Sequence, residues 1–212
     1  MNSRILSLFL CAFFFVQSSC SHPEEEQSRK ETNNLDQYKV AYFAAGCFWC
    51  VEAIFESIKG VKEVISGYSG GSSSNANYKV VSTGKTDHAE TVAIYYDPSV
   101  IDYKTLLIAF FGSHDPTTLN RQGPDRGRQY RSAIFYQTEN EKKLAESYIA
   151  SLLDTKRFSR ITTEVVPFDT FYIAESYHQN YKERNPNDPY VKNVSEPRLQ
   201  LFKERYPELL EE

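Results

Sequence analysis

The sequence Gly46-Cys47-Phe48-Trp49-Cys50 marks the point where the chain is predicted to change from strand to helix. Residues 38–45 alternate and are rich in β-forming side chains, which predicts a strand. After Cys50, apolar residues recur at helical spacing, and Gly60 suits the position that follows a helix; the apolar positions are Val51, Ile54, Phe55 and Ile58. The local prediction is therefore a strand, a turn through Gly46 and Cys47, and a helix.

Cys47 is predicted to lie at the first turn of this helix. Unpaired backbone amides and the positive end of the helix dipole favour a thiolate there and lower its pKa. A structural zinc site would need two further ligands, and the sequence has no second Cys pair or His pair to supply them. A permanent disulfide between Cys47 and Cys50 would close a very small loop and stabilise little. A redox-active or nucleophilic cysteine pair is therefore the leading interpretation.

The rest of the chain predicts an α+β domain. Further strands are predicted at 61–68, 89–96, 131–136 and 161–166, and helices at 102–112, 138–153 and 174–181. These elements mix without a regular βαβ alternation, so we expect helices packed on a mixed or mostly antiparallel sheet. The long polar loop 114–129 is expected to be either functional or disordered. Residues 185–212 contain four prolines and are expected to form a C-terminal surface tail with a short helix near 197–205.

The N-terminus predicts an export signal. A short positive region precedes a mostly apolar run at 5–16, which is too short to span a bilayer. Small and polar residues then lead to Cys20, a pattern similar to bacterial lipoprotein signals, in which cleavage leaves the cysteine to carry the lipid. A plain secretory signal cut near Ser19 or Ser21 is the alternative. We expect a signal peptide at 1–19, an acidic tether at 20–37, a catalytic domain at 38–184, and a location in the bacterial cell envelope.

Composition excludes several classes of protein. The chain has 212 residues, of which 41% are hydrophobic and 25% charged, as in soluble globular proteins of one or two domains. The net charge of −4 gives no basic excess for binding a nucleic acid. Of the four cysteines, Cys11 would leave with the signal and Cys20 would carry lipid. Only Cys47 and Cys50 then remain for chemistry.

Further motifs follow the cysteine pair in a characteristic order. They are Gly67-Tyr68-Ser69-Gly70-Gly71, Tyr78, His88-Ala89-Glu90, Tyr96-Asp97-Pro98, His114-Asp115-Pro116-Thr117, the octapeptide 125–132 and Tyr177-His178-Gln179. Together with Gly46-Cys47-Phe48-Trp49 and the following Val51-Glu52, this ordered set resembles the A-type peptide-methionine sulfoxide reductases from about Val40 to Tyr181. The resemblance implies a two-layer α/β sandwich with a ferredoxin-like split βαβ core. It also implies reduction of methionine S-sulfoxide, free or in proteins, as a repair of oxidative damage.

The resemblance also implies roles for individual residues. Cys47 matches the nucleophile that attacks the sulfoxide sulfur, and Glu90 matches the acid that protonates the oxygen. In a strand, Glu90 would share a face with Val92 and Ile94, so desolvation should raise its pKa. A raised pKa suits a proton donor near neutral pH. The alternative for Glu90 is a strand-end carboxylate in solvent.

Other matched residues are expected to bind substrate. Phe48 and Trp49 would form apolar walls for the S-methyl group, although core packing is the alternative. Tyr78 and Tyr130 match tyrosines that donate hydrogen bonds to the sulfoxide oxygen. Asp125 matches a residue that hydrogen bonds near the substrate and the regenerating water. The two histidines in the matched motifs are interpreted as structural hydrogen-bond partners; they are His88 and His178.

Regeneration departs from the common pattern of these reductases. Many relatives have Gly where this chain has Cys50, and use a cysteine near the C-terminus, but no cysteine follows Cys50 here. Our hypothesis is that Cys50 attacks the Cys47 sulfenic acid and that a thioredoxin-like dithiol reduces the disulfide. Resolution by an external thiol is the alternative. We expect a monomer without metal or organic cofactor, joined to the membrane only through its lipid.

Two other functions fit parts of the sequence. The cysteine pair alone fits a thiol–disulfide oxidoreductase, which leaves Glu90 and the 125–132 motif unexplained. An exported lipoprotein with an aromatic patch could instead bind a partner. Reduction of a sulfoxide is the activity that uses all of these residues.

Overall fold

A computed structural model describes residues 35–211. The predicted signal peptide, the predicted lipid site Cys20 and most of the predicted tether lie outside these residues. The described strands are β1 (Lys39–Ala45), β2 (Val61–Ser69), β3 (Ala89–Tyr96), β4 (Arg121–Gln122), β5 (Asp125–Arg126), β6 (Ser132–Tyr136), β7 (Glu164–Pro167) and β8 (Phe171–Ile173). The described α-helices are α1 (Phe48–Glu56), α2 (Tyr78–Val81), α3 (Tyr103–Ser113), α4 (Glu139–Asp154), α5 (Tyr181–Arg184) and α6 (Glu196–Arg205).

Six of the strands form one mixed sheet in the order β7-β6-β1-β3-β2-β8. Neighbours are antiparallel except for β6 and β7, which are parallel. Because β3 lies between β1 and β2, the unit β1-α1-β2 is a split βαβ. The predicted two-layer α+β fold with a mixed sheet and a split βαβ core is therefore confirmed.

The main core lies between the sheet and its helices. Its fully buried side chains come from the central strands and from α1 and α3, and include Phe43, Phe55, Ile94, Leu106 and Phe110. Burying such side chains contributes roughly 1.5–3 kcal/mol each. This core holds the end of β1 and the start of α1 in fixed positions.

Two predicted helix starts are confirmed. The Asp102 carboxylate accepts a hydrogen bond from the amide of Thr105 at the start of α3 (2.8 Å). At the start of α4, the Thr138 hydroxyl accepts from the amide of Glu141 (3.2 Å). The Glu141 carboxylate in turn accepts from the amide of Gln137 (2.7 Å), one residue before the position that the capping-box pattern predicts.

The predicted helix at 174–181 is wrong. The chain forms a 3₁₀ turn at Ser176–His178 and begins the short α5 only at Tyr181. Between them, Gln179 bonds through its side chain to both backbone groups of Ser66 (2.9 and 3.0 Å), and Asn180 has a positive φ of 52°. A continuous helix cannot contain that left-handed residue.

The predicted surface tail at 185–212 is also wrong, although the short helix predicted near 197–205 is confirmed as α6 (Glu196–Arg205). A π-helical turn at Val191–Ser195 leads into α6, whose Leu199 and Phe202 are buried in the main core. Tyr206 packs on Gly112, where a Cβ atom would lie 2.5 Å from its ring. Gly112 therefore permits close packing inside α3 instead of ending that helix, as its sequence position had predicted.

Residues 209–211 complete the turn that follows α1. The Lys59 amide donates to the Leu209 carbonyl (2.9 Å), and the Glu211 amide donates to the Ser57 carbonyl (3.1 Å). Leu210 forms an antiparallel bridge with Ile58. The last part of the described chain thus fixes the end of the helix that begins beside Cys47.

Within residues 35–211, no helix has the length and apolar character that crossing a membrane requires. The same residues contain no group of three or more His, Cys, Asp or Glu side chains placed to hold a metal ion.

Candidate active site

Three strand ends meet beside Cys47. In the antiparallel register of β1 and β3, Phe43 pairs with Val92, so two residues further on Ala45 lies level with Glu90. On the other side of β1, Ala45 pairs with Ser132 at the start of β6. The turn after β1 therefore lies next to the beginning of β3 and next to the loop that precedes β6.

A glycine is required at the turn before Cys47. Gly46 has a φ of +90°, a conformation that residues with a side chain rarely adopt. A Cβ atom at this position would lie 2.6 Å from Cβ of Gln122 in the β4–β5 hairpin. The hairpin that carries Asp125 thus packs directly on the backbone of this turn.

A cavity of about 320 Å³ opens at the meeting point. Every side chain that the sequence predicts to be catalytic or substrate-binding lines it: Cys47, Phe48, Trp49, Tyr78, Glu90, Asp125 and Tyr130. Two further lining residues, Asp188 and Tyr190, come from the segment predicted to be a tail. Parts of the chain that are far apart in sequence therefore form one site.

Glu90 is buried at the start of β3, with an exposed fraction of 2%. Its Oε2 atom accepts a hydrogen bond from the backbone amide of Phe48 (3.1 Å). Burial raises the Glu90 pKa to about 8, and the charge of Asp125 adds to this increase. The direction of the shift agrees with the sequence prediction. The carboxyl group is therefore protonated at neutral pH and fixed at the helix start.

The prediction that the helix start lowers the Cys47 pKa is wrong for the free enzyme. Cys47 is buried, and burial raises its pKa, with further contributions from Cys50 and Glu90. The Phe48 amide, which could have stabilised a thiolate, donates to Glu90 instead. Cys47 therefore rests as a thiol that donates its proton in a hydrogen bond to Cys50.

Cys50 lies behind Cys47 and is also buried, with an exposed fraction of 1%. Its hydrogen bond with Cys47 is the largest factor that lowers its pKa to about 6, and the charge of Arg198 acts in the same direction. Its Sγ atom lies 2.9 Å from Oγ of Ser195. The negative charge of the pair thus rests on Cys50, and both sulfur atoms are free of a disulfide.

Aromatic groups hold Trp49 at one wall of the cavity. Its indole stacks on Tyr181 with ring centroids 3.6 Å apart and an interplanar angle of 7°. The indole N–H donates to Nδ1 of His178 (3.1 Å). Burial lowers the His178 pKa, so the ring stays neutral and can accept this hydrogen bond. His178 is therefore a hydrogen-bond partner of Trp49. His88 likewise contacts the Ser72 carbonyl (3.0 Å).

Three tyrosines also line the cavity, namely Tyr78, Tyr130 and Tyr190. Burial raises the pKa of Tyr78 to about 12 and raises that of Tyr130 as well, so both remain proton donors. Tyr190 donates a hydrogen bond to Oδ2 of Asp125 (2.6 Å). Burial raises the Asp125 pKa, although the bond from Tyr190 opposes that shift.

The sequence did not point to four residues of this region: Asp188, Tyr190, Ser195 and Arg198. A signal was present, because the apolar residues Val191, Val194, Leu199, Phe202 and Tyr206 recur mostly at helical spacing, which is typical of a packed helix. The four prolines of the segment outweighed it in our prediction. Pro197 lies in the first turn of α6, where a helix tolerates proline.

The two thiols share one proton and can attack an electrophilic atom. The neighbouring carboxyl group is protonated at neutral pH and can protonate an oxygen bound to that atom. Together with the split βαβ sheet, this arrangement defines a cysteine-dependent oxidoreductase. The chain belongs to the peptide methionine sulfoxide reductase family, whose family model matches residues 39–209.

Individual proteins show the same relationship. The chain is 52% identical over 172 residues to peptide methionine sulfoxide reductase MsrA 2 of Synechocystis sp., covering 80% of each chain. It is 49% identical over 170 residues to an MsrA of Sulfolobus acidocaldarius, covering 80% of this chain and 96% of that one. The crystal structure of reduced Mxr1 from Saccharomyces cerevisiae matches with a TM-score of 0.66 and 35% identity, covering 72% and 88% of the two chains.

Proposed function

We propose that this enzyme reduces methionine S-sulfoxide, free or within proteins, to methionine and so repairs oxidative damage. The observation that carries this proposal is the placement of Cys47 and the protonated Glu90 in one cavity with aromatic walls. The cavity of about 320 Å³ has room for a methylsulfinyl group. Family membership supports the same activity.

In the proposed first step, the Cys47 sulfur attacks the sulfoxide sulfur. The Cys47 proton passes along its hydrogen bond to Cys50. Glu90 gives its proton to the sulfoxide oxygen, which weakens the sulfur–oxygen bond. The oxygen ends on Cys47 as a sulfenic acid, and methionine leaves.

The neighbouring side chains would bind the reacting group. Phe48 and Trp49 present aromatic surface for the S-methyl group, with which a polarisable sulfur makes favourable contacts. The hydroxyl groups of Tyr78 and Tyr130 are proton donors for the sulfoxide oxygen. Asp125, held by Tyr190, would orient a water or the substrate backbone.

Cys50 is proposed to resolve the sulfenic acid. Its sulfur attacks the Cys47 sulfur, a disulfide forms, the Cys47 sulfur–oxygen bond breaks, and the oxygen leaves as water with the Cys50 proton and the proton taken from Glu90. Hydrogen-bonding contact between the two side chains supports this step. A thioredoxin-like dithiol would then reduce the disulfide by thiol–disulfide exchange.

The activity is tested with residues 35–212 and dabsyl-labelled methionine S- and R-sulfoxides, with dithiothreitol as reductant. We expect reduction of the S epimer only, and loss of that reduction in Cys47→Ser. Disulfide exchange on a model substrate without any sulfoxide reduction would instead identify a thiol–disulfide oxidoreductase. Equal reduction of both epimers would contradict the proposed selectivity.

The proposed export rests on the sequence pattern alone. Residues 1–19 would act as a lipoprotein signal, Cys20 would carry lipid, and the domain would be tethered at the cell envelope. Radioactive palmitate supplied to cells that express the full chain should label the wild type and not Cys20→Ser. Equal labelling of both, or of neither, would contradict the lipid anchor, and a secreted wild type without label would favour the plain signal.

A further inference from the structure

Cys50 has polar neighbours besides its hydrogen-bond partner Cys47. Its Sγ atom faces the C-terminal segment, where the Ser195 hydroxyl lies 2.9 Å away. Ser195 is itself buried, with an exposed fraction of 1%. A buried hydroxyl that donates a hydrogen bond to a thiolate stabilises it more strongly than it stabilises a neutral thiol.

Arg198 supplies a fixed positive charge on the same side. Its Nε atom donates to the Ser113 carbonyl (2.7 Å), and one Nη atom donates to the Ala45 carbonyl (2.9 Å). These two bonds hold the guanidinium group beside the turn that carries the cysteines. The charge is half-buried, so water screens it less than it would screen a surface arginine.

The backbone explains why both residues face Cys50. Ser195 ends the π-helical turn Val191–Ser195, and α6 begins at the next residue. Side chains three residues apart lie on the same face of a helix, which places Ser195 and Arg198 together. Wide π-helical turns occur frequently at functional sites.

We propose, on the basis of the resolving role proposed for Cys50, that Ser195 and Arg198 are positioning residues that hold the Cys50 sulfur for attack on the Cys47 sulfenic acid. Cys50 is oxidised and the sulfenic sulfur is reduced as the disulfide forms and water leaves. Ser195 donates to the attacking sulfur, and Arg198 offsets the negative charge that develops on it as its proton passes to the leaving oxygen. The C-terminal segment, which contains no cysteine of its own, thus supports the resolving cysteine of α1.

The test separates the two chemical steps in a single turnover with methionine S-sulfoxide and no reductant. Rapid acid quenching and mass spectrometry measure methionine formation and disulfide formation independently. We expect Ser195→Ala to slow disulfide formation about tenfold, the effect of one lost charge-assisted hydrogen bond, and to slow methionine formation much less. Cys47 sulfenic acid should accumulate and be trapped by dimedone. Ser195→Thr, which keeps the hydroxyl, should restore the rate in part.

A matched control removes another buried serine hydroxyl. Ser113 donates to the Phe110 carbonyl (2.8 Å) and does not contact Cys50, so Ser113→Ala should form the disulfide at the wild-type rate. Arg198→Met should slow disulfide formation, and Arg198→Lys should recover part of the loss.

Ultraviolet titration of the thiolate gives a readout that a merely structural role would not move. The groups facing Cys50 are Cys47, Glu90, Tyr190, Ser195 and Arg198. Ser195→Ala and Arg198→Met should each shift the thiolate titration to higher pH, and Ser113→Ala should not.

The outcomes distinguish this proposal from the one on which it rests. If Cys50→Ser accumulates no sulfenic acid and turns over normally with thioredoxin, the resolving role of Cys50 fails. If Cys50→Ser accumulates sulfenic acid while Ser195→Ala forms the disulfide at the wild-type rate with an unchanged titration, only the role of Ser195 and Arg198 fails.

Discussion

Glu90 and Glu52 are two carboxyl groups with the same degree of burial and different surroundings. Their exposed fractions are 2% and 1%, and burial raises the pKa of each to about 8. Glu90 faces the cavity that contains Cys47, whereas Glu52 lies on α1 and faces β2. A perturbed pKa alone therefore marks both residues and does not identify the acid.

The neighbours of each carboxyl group make the difference. Glu90 accepts one described hydrogen bond, from the Phe48 amide, and lines the cavity beside the thiol and the tyrosine hydroxyls. Glu52 accepts a hydrogen bond from the Ser66 hydroxyl (3.1 Å) and from backbone amides at Asn180 and Tyr181. Glu52 lines a different cavity of about 300 Å³, and none of the described residues that line this second cavity carries a thiol. Glu52 therefore holds α1 to the loop that carries α5, and Glu90 remains available to substrate.

The largest expected difference between the two carboxyl groups is in catalysis. Glu90→Gln removes the proton donor and keeps its shape, so the rate of sulfoxide reduction should fall about 10²- to 10⁴-fold. Glu52→Gln should change that rate less than about twofold. Single-turnover methionine formation, with circular dichroism as a control for folding, measures both. A comparable loss in the two variants would mean that burial, and not contact with the cavity, sets the catalytic effect.

The pH dependence should also separate the two groups. Glu90 acts only when protonated, so methionine formation should fall as the pH rises through about 8, approaching tenfold per pH unit. Glu52→Gln should keep this falling limb, and Glu90→Gln should lack it. Rates measured from about pH 6 to about pH 10 test this. Loss of the falling limb in Glu52→Gln would mean that Glu52, and not Glu90, causes the pH dependence.

The raised pKa of Glu52 should also affect stability. The Glu52 carboxyl group should ionise near pH 4 in the unfolded chain, whereas its pKa in the folded protein is about 8. Its neutral form therefore stabilises the folded protein, and this contribution is complete at low pH. That contribution is lost as the pH rises through the folded pKa. The free energy of unfolding of the wild type should therefore fall between about pH 5 and 8 by roughly 1 to 3 kcal/mol more than that of Glu52→Gln. Urea denaturation at several pH values measures this difference, and parallel curves for the two proteins would contradict it.

The smallest expected effect concerns a single partner of Glu52. Ser66→Ala removes the hydroxyl that donates to its carboxyl group and should lower the free energy of unfolding by about 1 kcal/mol. Sulfoxide reduction should stay within about twofold of the wild type. Thermal and urea unfolding measure the loss. A large fall in activity without a loss of stability would mean that Glu52 and its partner communicate with the cavity.

Much of the fold could be predicted because the signals are local. Alternation predicts β1, helical spacing predicts α1, and side-chain caps predict the starts of α3 and α4. Most residues that line the cavity could be predicted because their motifs are short and ordered along the chain, whereas Asp188 and Tyr190 could not. Each of these predictions depends on neighbours in sequence.

The features that could not be predicted depend on contacts between distant residues. The Cys47 pKa is set by burial and by the commitment of the Phe48 amide to Glu90, which lies 42 residues away in sequence. The bond between Cys50 and Ser195 spans 145 residues. The proline content of 185–212 favoured a tail by local rules, yet long-range packing on α1 and α3 places this segment in the core.

The pairing of residues 209–211 with the end of α1 has a consequence for the order of events during synthesis. The ribosome makes Cys47 early, but the turn that ends its helix has no partner until residues 209–211 have emerged. The α6 residues that cover Cys50 are also made late. In a growing chain the thiols of Cys47 and Cys50 therefore lack this cover until residues 195–211 have been made and have packed.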